Sequence, residues 1–315
     1  MSNLEVAPAV VERGGLEQVA AVPVHELIPG HRAPLGDGTE VRRLLPVFGR
    51  RMVGAWCFFD HYGPDDIAAG PGMQVRPHPH TGLQTVSWLL RGTVHHRDSL
   101  GHEATIEPGQ LGLMTAGRGI AHSEQSPVPH PALLHGAQLW VALPDEARQR
   151  EPAFEHHASL PTASLAGAEL TVVLGEFDGL RSPGQVHSPL VGLDVVVHGP
   201  TTLSLEPDFE YAAVALSGQP ELDRTMLPLG SLLYLGCGRR ELRLAGSGRI
   251  MLLGGEPFAE QIVMWWNLIA RNHDEIAQYR ADWNDRGSQF EDVPGWQAQR
   301  LLAPPLPGGR LRPRN

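Results

Sequence analysis

From Leu35 onward the chain alternates short apolar runs with glycine- and proline-rich breaks. Two strand–turn units come first, GDGTEVRRLLP and RMVGAWCFFDHYGP, the second ending in the turn cluster DHYGPDD. Strand candidates follow at 83–90 (LQTVSWLL), 93–97, 103–106, 111–115 and 136–142 (GAQLWVA). Strands spaced by roughly ten residues with Gly/Pro punctuation predict an all-β sandwich or barrel. The cadence resumes after residue 161 in ELTVVLGEF, LDVVVHG, TTLSLE, YAAVALSG, GSLLYLG, RELRLAG and RIMLLGG. Between the two series lies PDEARQREPAFEHHASLP, residues 144–161, charged and broken by prolines, which reads as a linker. The pattern predicts two all-β domains, 35–143 and 162–258, behind an extended lead-in at 1–34. No long identity joins the halves, but a duplicated unit is the economical reading.

The period changes only near the C-terminus, within 259–302. QIVMWWNLIA reads as a strand, and Asn272-His273-Asp274-Glu275 then opens a helix. Asn272 is placed to cap it, with Glu275 three residues on, as in a capping box. Ile276, Tyr279 and Trp283 share its apolar face, while Trp265 and Trp266 read as packing residues. Residues 303–315, APPLPGGRLRPRN, have the composition of a flexible tail.

Composition narrows the class of protein. Hydrophobic residues make up 42% of 315, enough for sizeable cores, and 36 Gly with 28 Pro favour turns over long helices. There are 25 basic residues, all arginine, against 35 acidic, for a net charge of −10. The absence of lysine reads as coding bias. An acidic chain without a basic run is a poor partner for nucleic acid or an anionic membrane. No apolar run reaches the ~18 residues of a membrane-spanning helix. MSNLEVAPAVVERGG has no long apolar core of the signal-peptide kind, so a cytoplasmic location is expected. Cys57 and Cys237 lie far apart and are expected to be reduced, buried thiols.

The candidate chemistry sits in residues 76–124. This stretch opens with His78-Pro-His80 and closes with His122-Ser-Glu124. Side chains two apart on a strand point to one face, so each pair aims two donors at one point. Two such strands side by side gather three imidazoles and one carboxylate. That set suits a first-row metal with open coordination positions, as in non-haem iron oxygenases. The alternating strands and Gly turns between the pairs let the chain fold back so that they meet.

The longer motifs HPHTGLQTVSWLLRG, PGQLGLMTAGRGIAHSE and HGAQLWVALP resemble the pirin family of the cupin superfamily. VGAWCFFDHYGP before them and LLGGEPFAEQIVMWWNLIARNHDEI after them resemble its bacterial members. The resemblance spreads over most of residues 35–285, in the family's order. It implies a bicupin, two antiparallel jelly-roll β-barrels packed face to face with a short C-terminal helix. It also implies one divalent metal in the N-terminal domain, held by His78, His80, His122 and Glu124. Fe(II) is the first expectation, with Mn, Co, Ni, Cu and Zn as alternatives. Some pirins resemble quercetin 2,3-dioxygenases, others act as redox-responsive partners of transcription factors, and some bacterial members bind metabolic enzymes. The implied partners are therefore a flavonol-like aromatic with O2, or another protein.

One position departs from the wider cupin pattern. Gly72 followed after five residues by His78-x-His80 fits the first cupin motif, but the ligand Glu four residues beyond the second His is Gln84 here. A neutral amide is a poor ligand for such a metal. Glu124 is then the fourth ligand, and Gln84 is left to hydrogen-bond around the site. Arg118 in AGRGIAH is expected either to form a structural salt bridge or to orient an anionic substrate.

The remaining histidines read more simply. His95, His96 and His102 belong to an exposed hairpin or to a layer behind the ligands, His61 to a turn, and His156 and His157 to the solvated linker. His187 and His198 are isolated, so no second metal is expected in the C-terminal domain.

On the enzymatic reading the metal serves as Lewis acid and template. Glu124 removes the 3-hydroxyl proton of a flavonol. Reaction with O2 then yields a depside and carbon monoxide. Leu113 and Met114 are candidates to exclude water. The competing reading is a regulatory protein whose partner affinity follows the redox state of the metal. A third is another cupin activity such as isomerisation.

Overall fold

The computed structural model describes residues 11–13, 19–36, 39–47, 49–296 and 299–312. The first domain is a double-sheet sandwich. Its larger sheet has seven strands in the order Ala153–His157, Leu111–Thr115, Leu83–Arg91, Leu133–Ala142, Trp56–Asp66, Thr39–Leu45 and His31–Leu35. The smaller has four, Gln74–His80, Ile120–Gln125, Val94–Asp98 and Glu103–Ile106. The second domain is one ten-stranded sheet built on two long strands, Glu210–Leu222 and Glu241–Gly255. The two ends of Glu241–Gly255 pair with different neighbours, Leu190–Val197 and Thr201–Ser204. The pairings are antiparallel and jelly-roll in kind, but the sheets are open at their edges rather than closed barrels.

Period-two alternation explains how one strand serves two cores. On Leu83–Arg91, Val86 and Trp88 point to the seam between the domains, and Thr85 and Ser87 to the first domain's interior. On Glu241–Gly255, Ile250 and Leu252 fill the second domain, whereas Met251 and Leu253 join the seam. Each fully buried side chain of this kind contributes roughly 1.5–3 kcal/mol. Polar bonds fix the docking. Trp88 Nε1 donates to Asp194 (2.6 Å), Trp56 Nε1 to the Gly254 carbonyl (3.2 Å) and the Gly54 amide to Glu210 (2.7 Å).

Several segments differ from their sequence reading. Within the lead-in, Glu26–Pro29 joins the second domain's sheet and His31–Leu35 the first's, while residues 1–10 and 14–18 lie outside the described residues. The segment read as a linker supplies the edge strand Ala153–His157, paired with Leu111–Thr115. QIVMWWNLIA is a hairpin, Ile262–Trp265 and Leu268–Ala270, turned at Trp266 with φ 55. The helix His273–Asn284 starts where the cap predicts, with Asn272 Oδ1 accepting from the Glu275 amide (3.0 Å). Its apolar face is Ile276, Tyr279 and Trp283, packed with Trp265 and Trp266.

The segment 303–312, expected to be a flexible tail, is instead packed against this helix; 313–315 lie outside the described residues. Asn284 exchanges two hydrogen bonds with the Ala303 backbone (3.0 and 2.9 Å), and the Leu311 amide donates to His273 Nδ1 (3.1 Å). Among the described residues, no helix is long and apolar enough to cross a membrane.

Candidate metal centre

His78 and His80 lie on Gln74–His80, and His122 and Glu124 lie on the neighbouring antiparallel strand Ile120–Gln125. His122 is directly opposite His78. The register then slips, so that Glu124 faces Val75. Arg76 and Pro77 occupy the slip. Proline has no N–H for the ladder, and bulges near functional sites re-aim side chains. Just beyond His80, Gly82 turns the chain into the next strand at φ 66; a Cβ there would lie 2.6 Å from the Ile269 carbonyl.

The three imidazoles converge. Ring centroids are 4.4 Å apart for His78–His122, 4.9 Å for His78–His80 and 5.0 Å for His80–His122. All three residues are 0% exposed, and Glu124 is 1% exposed. Each ring has its Nε2 buried without a hydrogen-bond partner. The opposite nitrogens are held from outside. His78 Nδ1 donates to the Arg76 carbonyl (2.8 Å) and His80 Nδ1 to the Asn267 carbonyl (2.9 Å). His122 Nδ1 lies 3.4 Å from His96 Nδ1, and His96 Nε2 lies 3.3 Å from Asp98 Oδ2. Asp98 in turn accepts from the Leu100 and His102 amides (2.9 and 3.0 Å). Metal-ligating histidines are oriented by such outer partners, with the lone pair left on the nitrogen that faces the ion.

Burial, reinforced by the neighbouring imidazoles at His78 and His122, holds all three rings well below the usual histidine range. They are neutral and have lone pairs to give. A buried polar atom without a partner costs about 1–3 kcal/mol. Three such nitrogens facing one another are accounted for by a shared cation, and the donor set of His78, His80, His122 and Glu124 suits a divalent first-row ion. The ligand atoms of His78, His80 and His122 lie within 4.8 Å of one another, as do those of His96, His122 and Glu124. Glu124 Oε1 accepts from Ser87 Oγ (2.8 Å). Trp140 packs edge-on to His80 (5.0 Å between centroids) and stacks on Phe58 (3.9 Å), giving the centre an aromatic wall.

Of the two expected supporting residues, the structure turns Gln84 away and gives Arg118 the salt bridge that was the first of its two expected roles. Gln84 lies three positions from Ser87 on the same strand, hence on the opposite face. Its Nε2 donates to Thr115 Oγ1 and to the Gln185 carbonyl of the second domain (2.9 Å each), so it is a seam residue. Arg118 is exposed on the turn before Ile120–Gln125 and pairs with Glu151 (2.6 Å), so it orients nothing inside. Leu113 is opposite Val86 and faces the seam; Met114 is opposite Thr85 and Phe154 and faces inward.

His61 is in a strand rather than a turn, buried beside His135 with Nε2 atoms 2.9 Å apart. His156 is exposed, as expected of a solvated position. His198 is exposed and His187 is half-buried beside Arg150.

Three residues, Ser87, Gln138 and Asn267, escaped the sequence reading, while His96 takes the second of its two expected places, in the layer behind the ligands. His96 is 2% exposed, sits opposite Glu124 and stacks on Phe154 (4.0 Å), whereas His95 and His102 remain nearer the surface. Its signal was present: Val94, His96 and Asp98 share one face of Val94–Asp98, whose burial alternates. Ser87 and Gln138 are polar positions among the apolar residues of their strands, a weak signal. Asn267 acts through its backbone carbonyl, which no residue type announces.

Comparison with known proteins agrees with this geometry. Residues 38–141 match the pirin family and residues 192–289 the pirin C-terminal cupin domain. A Pseudomonas aeruginosa protein named "Putative quercetin 2,3-dioxygenase" is 43% identical over 284 residues, covering 89% of this chain and 90% of its own. A pirin-like protein of Caulobacter vibrioides is 37% identical over 271 residues, covering 83% and 93%. The crystal structure of a quercetin 2,3-dioxygenase from Acinetobacter baumannii superposes with a TM-score of 0.89 at 41% identity, covering 92% of this chain and 98% of that one. With both domains matched and the likeness running through the strands that carry the histidines, this chain belongs to the pirin family.

Proposed function

We propose that this pirin is a metal-dependent dioxygenase that cleaves flavonols such as quercetin with O2. His78, His80, His122 and Glu124 hold one divalent ion, Fe(II) first. The observation that carries the reading is the trio of buried, unpartnered Nε2 atoms beside a buried carboxylate. The names of the Pseudomonas and Acinetobacter relatives support the substrate class.

The bound ion would supply Lewis acidity and open coordination positions for the chemistry of flavonol and O2. Glu124 takes the 3-hydroxyl proton onto its carboxylate, since it is the acidic member of the donor set. Trp140, Phe58 and Met114 are buried apolar side chains that keep water from the centre. One flavonol and one O2 give one depside and one carbon monoxide, with every atom accounted for.

The test is oxygen uptake with quercetin by Fe(II)-loaded protein, with carbon monoxide collected. Uptake is expected only with both metal and flavonol present. Glu124→Gln should lower turnover by roughly 10²–10⁴-fold, the range for a lost general base. If no metal form consumes O2 with any flavonol, the dioxygenase reading fails and the regulatory one replaces it.

A further inference from the structure

Ser87 and Gln138 face each other across adjacent strands of the seven-stranded sheet and are 5% and 1% exposed. Ser87 Oγ lies 2.8 Å from Glu124 Oε1 and 3.0 Å from Gln138 Oε1, while Gln138 Nε2 is buried without a partner. A serine hydroxyl has one proton, and an ionised carboxylate only accepts. The proton therefore goes to Glu124. The Ser87–Gln138 contact then lacks a proton unless the amide presents its nitrogen to Ser87. An amide turned by 180° keeps its shape, so the turn costs no packing. It converts an orphaned donor into a bonded one. The result is a directed chain in which Gln138 N–H donates to Ser87 Oγ and Ser87 O–H donates to Glu124 Oε1.

We propose that Gln138, acting through Ser87, is a positioning residue for Glu124. The chain engages one carboxylate oxygen at Ser87 and so sets how the carboxylate is oriented beside His122. The bond to an ionised acceptor is of the stronger, charge-assisted kind. A serine that both donates and accepts is also better fixed than one that only donates. This inference deepens the reading of a metal held by His78, His80, His122 and Glu124, and rests on it.

The test needs no turnover. Protein reconstituted with Co(II) reports its donor set through its visible absorption. Ser87→Ala is expected to shift that spectrum in the direction set by Glu124→Gln and to weaken Co(II) binding by roughly 10–100-fold, the range for lost outer partners. Gln138→Met, similar in shape but without a donor, should shift it the same way by a smaller amount. The double variant should be no worse than Ser87→Ala, because residues in one chain are not additive.

Circular dichroism and the thermal midpoint check folding, and Gln138→Leu stands in should Gln138→Met not fold. Wild-type spectrum and affinity in the folded Gln138 variant, or additive losses in the double variant, overturn the proposal. A wild-type protein that shows no Co(II) band dependent on His122 overturns the metal reading and this proposal together. A wild-type band with an inert Gln138 overturns this proposal alone.

Discussion

The two domains share a strand cadence and a jelly-roll pairing pattern, yet their interiors are opposites. The second is filled by Leu193, Val195, Leu233, Leu242, Ile250, Leu252 and their neighbours. The first has a wholly apolar end around Leu35, Val75, Leu89 and Ile106. Its other end buries His78, His80, His96, His122 and Glu124, with an Arg43–Asp60 ion pair held by two bonds of 2.9 and 2.8 Å. A polar interior of this kind is expensive to fold. The structure answers with support from outside the first domain. The seam core spans both domains, and the C-terminal hairpin supplies the carbonyl that orients His80. One copy of the architecture keeps its stabilising core; the other gives part of its core to chemistry and leans on its partner.

The contrast breaks most sharply at His122. His122→Ala should lower metal affinity by more than the roughly 10–100-fold typical of an outer partner, and metal analysis of the purified protein should then find the site largely empty. The same substitution at His187 or His198 should leave metal content unchanged. Full occupancy of His122→Ala would undo the assignment. The complementary change is Leu252→Ala in the second interior. It should cost about 2–5 kcal/mol in urea unfolding and leave the metal spectrum of the folded protein intact. If Leu252→Ala altered the spectrum while stability held, the division between the domains would be wrong.

The buried His61–His135 pair gives a pH test. Burial, with His135 and Arg42 nearby, pushes His61 down to about 3. An unfolded histidine titrates near ~6.5. Between these values the unfolded chain binds a proton that the folded chain refuses. The stability associated with neutral His61 is thus full above ~6.5 and declines as pH falls through the window, by at most ~1.4 kcal/mol per unit. From pH 7 to 4.5 the loss is on the order of 2–3 kcal/mol. His61→Gln should flatten the pH dependence of urea unfolding by that amount. An unchanged slope would show that the folded state does not exclude a proton from His61 in this window.

What the sequence disclosed follows from what each signal depends on. The HxH and HxE pairs were legible because period two is a property of the local backbone. The helix was legible because Asn272 and Glu275 act within one turn. His96 was left between an exposed hairpin and a layer behind the ligands because His95 stands beside it, and the parity of Val94 and Asp98 decides for the buried layer. Gln84 was judged by its distance from His80, but the Thr81-Gly82 turn intervenes, so distance along the chain no longer tells the face. The 303–312 segment misled because its composition is that of a free tail. Its order comes from Asn284, Asp274 and His273, contacts 19 to 38 residues away. Asn267, which accepts through its backbone carbonyl alone, had no signature to find.

The smallest effect sharpens the boundary of the site. Arg118 is four residues from His122 in sequence, and a reading by proximity would make it part of the centre. In the structure its guanidinium is 54% exposed and its partner Glu151 is 78% exposed. An exposed pair of this kind contributes little, and less as salt rises. Its backbone has a separate role, since the Arg118 carbonyl accepts from Gln289 Nε2 (2.7 Å), which a side-chain change leaves in place. Arg118→Ala should therefore leave the urea midpoint of unfolding close to that of the wild type. It should leave metal affinity and the Co(II) spectrum at wild-type values. A loss of metal or of flavonol turnover in Arg118→Ala would extend the functional region across the turn to the protein surface. The boundary between the buried polar end of the first domain and its solvated rim would then have to be redrawn.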